Sequence, residues 1–271
     1  MAEPDYWSLH EEACARGART YIEPISGYQV FTRIGLLEAG RCCGAGCRHC
    51  PFGHERVRQK DQATRIQQPA WLTDARPAPK AAAHILFWSG GKDSYLAFRA
   101  LQRSGCVVVL LITFDARERI IAHQELPIDA VVQQAMYLDL PLIGVPLHPG
   151  VDYLDHIAPA LELVPQGRAL CFGDLHLKHI RDWREDAFAN DERTESFELR
   201  FPIWQSAYDD LLDELEAAPA SFVVGAVNGD RSGIAVGDTF DRDFVSRLPS
   251  GVDAFGENGE FHTRVVFEAL D

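Results

Sequence analysis

The sequence predicts an α/β fold: a doubly wound, mainly parallel sheet with a C-terminal substrate-binding subdomain, preceded by a small N-terminal Cys-rich module. Three observations carry the expectation. From residue 84 to residue 174, short apolar runs rich in β-branched residues alternate with segments of helical spacing. Four of the seven cysteines fall between Cys42 and Cys50. Between these regions, residues 56–80 turn polar and then proline-rich, ending Arg76-Pro77-Ala78-Pro79-Lys80, which reads as a linker. The expected division is therefore 1–75 for module and linker and 81–271 for the main domain, itself split into 81–190 and 191–271.

A chain of 271 residues has room for one large domain or a domain plus a module. Its 46% hydrophobic and 24% charged residues are those of an ordinary globular protein. No apolar run reaches the roughly eighteen residues a membrane helix needs. The opening Met1-Ala2-Glu3-Pro4-Asp5-Tyr6 lacks the basic and apolar regions of a secretion signal. The expectation is a cytoplasmic protein with no membrane partner. The formal charge of −14 is uneven: residues 1–80 carry 11 Lys and Arg against 9 Asp and Glu, residues 81–271 carry 15 against 31. So acidic a main domain argues against broad nucleic-acid binding, because such binding rests on phosphate neutralisation by basic residues.

In chain order, residues 1–20 read as a helical or loosely ordered leader. Tyr21–Glu23 and Gln29–Thr32 carry β-formers around Gly27. Next comes Cys42-Cys43-Gly44-Ala45-Gly46-Cys47-Arg48-His49-Cys50-Pro51. An odd, crowded set of thiols in a cytosolic chain speaks for metal or redox chemistry rather than disulfides. Cys42, Cys43, Cys47 and Cys50 are the expected ligands of a Zn2+ ion or an iron–sulfur cluster, with His49 and His54 in reserve. The competing reading is a reduced knuckle with buried thiols.

His84–Trp88 reads as a buried strand, and Tyr95–Leu101 as a helix stopping at Gly105. Between them, Ser89-Gly90-Gly91-Lys92-Asp93-Ser94 places two glycines, a lysine and two hydroxyls where a strand hands over to a helix. Backbone amides at the positive end of a helix suit a phosphate, and Lys92 adds a point charge. Further expected elements are a strand at Val107–Phe114, a helix at Asp129–Leu140, a strand at Leu142–Leu147, a helix at Tyr153–Val164 and a strand at Ala169–Asp174. The Ser89 loop and the Gly173-Asp174 corner then both fall at carboxyl ends of parallel strands, where such sheets bind ligands. Asp174 is placed to face Mg2+ or a nucleotide. A helix is read from Asp174 through Arg181 to Trp183, an amphipathic segment at Tyr208–Ala217, strands at Ser221–Val227 and Gly233–Gly237, and a short helix at Asp241–Leu248. The last motif, Gly256-Glu257-Asn258-Gly259-Glu260-Phe261-His262-Thr263, gathers carboxylates, an amide, an imidazole and a hydroxyl in one turn, which suits substrate grip and proton transfer.

Ser-Gly-Gly-Lys-Asp-Ser resembles the pyrophosphate loop (PP-loop) of the N-type ATP pyrophosphatases, in the HUP-like adenine nucleotide alpha hydrolase superfamily. Together with Phe172-Gly173-Asp174, Pro202-Ile203-Trp204 and Gly256–Thr263, it makes residues 84–271 similar to the diphthine–ammonia ligase family. The resemblance implies ATP with Mg2+, held at Ser89, Gly90, Gly91, Lys92, Asp93, Ser94, Gly173 and Asp174. It implies catalytic roles for Glu257, Glu260 and His262, and substrate contacts from Asn258, Thr263, Arg181 and Trp204. The implied chemistry is adenylation of a carboxylate or carbonyl oxygen, loss of pyrophosphate, and amide formation with ammonia or an amine. The implied substrate is a small molecule or a modified residue, and a homodimer is the possible assembly. Many relatives read Asp-Pro-Cys where this chain has Asp253-Ala254-Phe255, and a histidine where it has Ile180; these departures bear on the diphthamide substrate more than on the ATP chemistry. Residues 20–55 resemble an uncharacterised bacterial Cys-rich domain and the amino-terminal module of oxidoreductase-like proteins. Two other functions compete: ATP-dependent sulfur transfer or redox-linked modification through the thiol module, and a nucleotide-binding regulator without turnover.

Overall fold

The computed structural model describes residues 6–24, 29–42, 47–52, 68–116, 120–121, 126–228 and 233–267. The chain divides into two compact units, Met1–Arg65 and Ile66–Asp271.

In the first unit, helix α1 (Tyr6–Ala15) occupies part of the expected leader, and β1 (Thr20–Ile22) pairs antiparallel with β2 (Gln29–Phe31). Gly27 lies outside the described residues. Helix α2 (Arg33–Leu37) starts at once because Thr32 caps it. The Thr32 hydroxyl accepts the Gly35 amide at 3.2 Å and donates to the Ala18 carbonyl at 2.7 Å.

The second unit is a mixed α/β structure. Its elements are β3 (Ala70–Trp71), β4 (Ala83–Phe87), α3 (Lys92–Arg103), β5 (Val107–Asp115), β6 (Ile120–Ile121), β7 (Leu126–Pro127), α4 (Ile128–Tyr137), β8 (Leu142–Leu147), α5 (Tyr153–Leu161), β9 (Gly167–Cys171), α6 (Lys178–Ala189), β10 (Glu198–Arg200), α7 (Tyr208–Glu216), β11 (Ser221–Val227), α8 (Arg242–Ser246) and β12 (Phe261–Val266). Six strands form one sheet in the order β10-β9-β4-β5-β8-β3, parallel except for β3. The chain runs from β4 outward through β5 to β8, then returns to the other side of β4 for β9 and β10. The order therefore reverses between β4 and β9.

Side chains alternate along the strands into two cores, one on each face. Ile85, Val109, Leu111, Ile143 and Ile157 of α5 pack on one side. Leu86, Leu110, Ile112, Leu142 and Leu96 of α3 pack on the other, with Leu211 and Leu215 of α7 and the antiparallel β11–β12 pair. A strand covered on both faces buries successive residues, and β5 buries Val108–Ile112 without a break, which is why it reads as the near-continuous run Val107–Phe114.

Three expectations are corrected. Gly233–Gly237 forms turns, not a strand: Gly233 and Gly237 take φ of +97° and +101°, outside the extended region, and β11 pairs with β12 instead. The helix expected from Asp174 begins at Lys178, so Asp174 sits on the connection leaving β9. The stretch expected as linker contains β3, whose Trp71 lies opposite Ile143 on the edge of the sheet. Among the described residues no helix is long and apolar enough to cross a membrane.

Candidate functional site

The Ser89–Ser94 loop leaves β4 and runs into α3. Gly90 takes φ of +80°, and a Cβ there would lie 2.6 Å from Leu126 Cδ2 and 3.0 Å from Gln134 Oε1. Glycine is thus required twice over, by conformation and by space. Gln134 of α4 locks the loop: its Nε2 donates to the carbonyls of Gly90 at 3.1 Å and Val265 at 2.8 Å. Its Oε1 accepts Trp88 Nε1 at 2.9 Å. The Val265 amide donates to the same Gly90 carbonyl at 2.8 Å, so β12 is tied to the loop backbone. Within the loop, the Ser94 hydroxyl donates to the Gly91 carbonyl at 2.9 Å, and Ser89 Oγ lies 3.2 Å from Ser94 Oγ.

Gly173 follows β9 and packs against the start of α3. A Cβ at Gly173 would lie 2.9 Å from the Asp93 carbonyl carbon and oxygen and 3.0 Å from the Ser94 nitrogen. Only a glycine lets the two chain segments at the sheet's reversal point meet this closely.

There the structure opens into a cleft of about 320 Å3, whose lining includes Ser89, Asp93, Ser94, Gly173, Asp174, Arg184 and Glu257. Its apolar side is Phe87, Trp88, Leu111, Ile121, Tyr153 and Phe172. Burial pushes the Tyr153 hydroxyl up to about 12, so it stays protonated. A smaller cavity of about 130 Å3 adjoins, lined by Gly91, Lys92, Phe255, Gly256, Gly259, Phe261, His262 and Thr263. Asp93 and Glu257 line both spaces.

The expected residues separate into distinct roles. Thr263 is 3% exposed, and its Oγ1 accepts the Lys92 amide at 3.1 Å. Glu257 receives the His176 amide at 3.3 Å on Oε2. Burial and then the nearby Asp93 push its carboxyl up to about 7, against a smaller downward pull from Lys92. Glu260, expected as catalytic, is 2% exposed and binds its own turn: Oε1 accepts the Asp253 amide at 3.0 Å and Oε2 the Asn258 amide at 3.0 Å. Burial alone would raise this carboxyl, but its backbone donors and the Asn258 side chain outweigh burial and lower it. Asn258, expected at the substrate, donates its Nδ2 to Glu260 at 3.3 Å. His262 faces the smaller cavity rather than the cleft. Lys92 is also turned away from the cleft. It is 2% exposed, with Nζ 2.6 Å from the Phe255 carbonyl and 2.9 Å from Asp93 Oδ2, among the rings of Phe240, Phe255 and Phe261. Arg181 packs its guanidinium 4.6 Å from the Phe201 ring centre and 4.9 Å from that of Trp204. Neither Arg181 nor Trp204 lines the cleft.

Four residues not singled out from the sequence build the site. Gln134 is one. Arg184 lines the cleft and pairs with Asp174, at 2.7 Å through Nε and 3.2 Å through Nη2. Asp253 accepts the amides of Phe255 at 2.8 Å and Glu257 at 3.1 Å, which shapes the turn carrying Glu257. Tyr208 donates its hydroxyl to Asp253 at 3.0 Å and stacks on Phe255 at 4.4 Å; burial first, and then this bond, raise its pKa.

Magnesium needs oxygen donors. Asp93 Oδ1 is buried without a hydrogen-bond partner, beside Glu257 on the same wall, so these two carboxylates fit such an ion. Asp174 is occupied by Arg184. In the first unit, the sulfurs of Cys42 and Cys50 lie 3.9 Å apart, and the Cys50 amide donates to the Cys47 carbonyl at 3.2 Å. Metal–sulfur bonds of about 2.3 Å place tetrahedral ligands roughly 3.8 Å apart, which that sulfur pair matches. Cys43 and His54 lie outside the described residues. His49 is 7% exposed, stacks on His10 at 3.7 Å and meets the Tyr21 hydroxyl through Nε2 at 3.0 Å; burial, then His10, lower it to about 4. Among the described residues, no group of three or more His, Cys, Asp or Glu side chains is gathered to hold a metal ion.

A comparison with protein families matches residues 9–56 to a family of unknown function (DUF5522). The match lies within the first unit and names no chemistry.

Proposed function

We propose that the second unit is a HUP-like ATP pyrophosphatase that works as an amide ligase. It would adenylate a carboxylate or carbonyl oxygen, release pyrophosphate, and let ammonia or an amine displace AMP. The observation that carries this reading is a shared wall. The Ser89–Ser94 loop and the Gly256–Thr263 turn, more than 160 residues apart in sequence, border one cleft where the strand order reverses. Ligands of parallel α/β sheets bind at such a reversal.

In this reading the amino end of α3 and the hydroxyls of Ser89 and Ser94 meet phosphate. The apolar lining at Phe87, Leu111 and Ile121 takes the base. Asp93 and Glu257 hold Mg2+, which offsets the repulsion between their carboxylates and the nucleotide. The test is conversion of ATP to AMP and pyrophosphate by the purified protein across a panel of carboxylates with ammonium present. AMP formation that depends on one acceptor supports a ligase. ATP binding without pyrophosphate release points to the regulator, and product carrying sulfur points to the thiol-linked alternative. Absence of nucleotide binding rejects the proposal outright.

A further inference from the structure

The sequence offers Lys92 as the cation for phosphate, but the cleft contains a different one. Lys92 Nζ is committed to the Phe255 carbonyl and Asp93 inside a ring of phenylalanines. Swinging it into the cleft would strip that buried carbonyl of its donor. Among the described residues lining the cleft, the only Lys or Arg is Arg184. It shares that space with three carboxylates, Asp93, Asp174 and Glu257.

Arg184 is also the best positioned. Its side chain is 20% exposed, its guanidinium carbon lies 4.3 Å from the Phe172 ring centre, and Asp174 holds Nε and Nη2. Stacking and a two-point ion pair fix the plane of the fork before any ligand arrives, which spares the ordering cost of binding. Asp174 leaves the other guanidinium donors uncommitted to it, and a guanidinium fork matches phosphate oxygens in bidentate geometry.

We propose that Arg184 is the phosphate-binding cation of this cleft, with Asp174 as its positioning residue, and that Lys92 instead holds the Phe255 turn against the loop. The proposal rests on the nucleotide reading above. It assigns the recognition of a nucleoside polyphosphate to α6 rather than to the lysine of the loop.

The test is calorimetric titration of the full chain with Mg2+·ATP and, separately, with adenosine, for wild type, Arg184→Gln and Arg184→Lys. Melting temperatures of all three check the fold. Loss of a charge-assisted phosphate contact should weaken ATP about ten- to a hundredfold in Arg184→Gln. Adenosine, which has no phosphate, should bind all three alike, and Arg184→Lys should regain part of the ATP affinity. Arg184→Gln binding ATP within twofold of wild type overturns the proposal, as does an equal loss of ATP and adenosine. Wild-type protein that binds neither ligand overturns the nucleotide reading itself, and Arg184 with it; binding of both with no effect of Arg184→Gln overturns only the assignment of Arg184.

Discussion

The hydroxyl of Thr263 accepts the backbone amide of Lys92 at 3.1 Å, joining positions 171 residues apart. The bond occupies one of the amides at the start of α3 that have no partner within the helix. It therefore fixes both the loop and the strand that follows the Glu257 turn. Thr263→Val keeps the shape and removes the acceptor, leaving a buried donor unpaired. The expected cost is about 1–3 kcal/mol in chemical unfolding, with Thr263→Ser retaining most of the stability. Equal stability of Thr263→Val and wild type would show that the bond contributes nothing.

Gly173→Ala tests the close approach of β9 to α3. The new Cβ would meet backbone atoms of Asp93 and Ser94 at 2.9–3.0 Å, and backbone at a helix start has no rotamer to escape into. The loop must shift, so nucleotide affinity should fall at least about tenfold, more than overall stability does. The same substitution at Gly105, which takes φ of +69° but has open space around its Cβ position, should leave nucleotide affinity unchanged. Matching affinities for Gly173→Ala and wild type would count against the loop as the binding element.

How far the site could be read from the sequence depends on how local its causes are. The Ser89–Ser94 turn was legible because strand, glycines and helix are contiguous, and β8 falls at the expected Leu142–Leu147. Gly233–Gly237 misled because Ile234 and Val236 look like strand residues while the glycines around them take positive φ. Arg184 was hidden on a helix where Arg181, Asp182 and Glu185 give the same polar pattern; only the Asp174 pairing, ten residues back, distinguishes it. Gln134 looked like any polar helix position, since its partners Gly90 and Val265 are distant in sequence. For Glu260 the local pattern is ambiguous in the opposite way: a carboxylate in a polar turn looks chemical, and the structure shows it accepting that turn's own amides.

Gln134→Leu should be the more damaging change at the base of the loop. It removes two donors and one acceptor at once, from the carbonyls of Gly90 and Val265 and from the indole of Trp88. Val265 still supplies its amide to Gly90, so the loop keeps one tether. The expected loss is about 2–4 kcal/mol by denaturant titration, with Gln134→Glu intermediate. A loss under about 0.5 kcal/mol, the size typical of a surface change, would contradict the role given to Gln134.

Under the proposed function, Glu257 couples nucleotide binding to a proton. Its carboxyl lies at about 7 in the folded protein, above the 4.5 expected unfolded. The folded state therefore keeps a proton that the unfolded chain releases, and the contribution to stability declines as pH rises from about 4.5 through 7. Mg2+ bound at Asp93 and Glu257 would favour the ionised form and expel that proton. At pH 7, Mg2+·ATP should release roughly half a proton, measured as a binding enthalpy that varies with the ionisation enthalpy of the buffer. Glu257→Gln should abolish the release and flatten the stability slope in that window. Buffer-independent enthalpy in the wild type would remove Glu257 from the metal site.

Sulfurs 3.9 Å apart at Cys42 and Cys50 have nearly the spacing of two ligands on one tetrahedral centre, and Cys47 lies one turn from Cys50. We propose that these three cysteines, with Cys43, hold zinc or an iron–sulfur cluster. Metal binding needs thiolates and pulls folding along with it, so a centre of this kind should be stoichiometric and stabilising. Elemental analysis of anaerobically purified full-length protein should find about one centre per chain, and visible absorbance distinguishes a cluster from zinc. Chelation should make these thiols react with an alkylating reagent, whereas the buried Cys171, its thiol pushed up to about 12 by burial, should stay inert in both states. Metal-free protein whose cysteines are protected equally with and without chelator would replace the centre with a reduced structural knuckle.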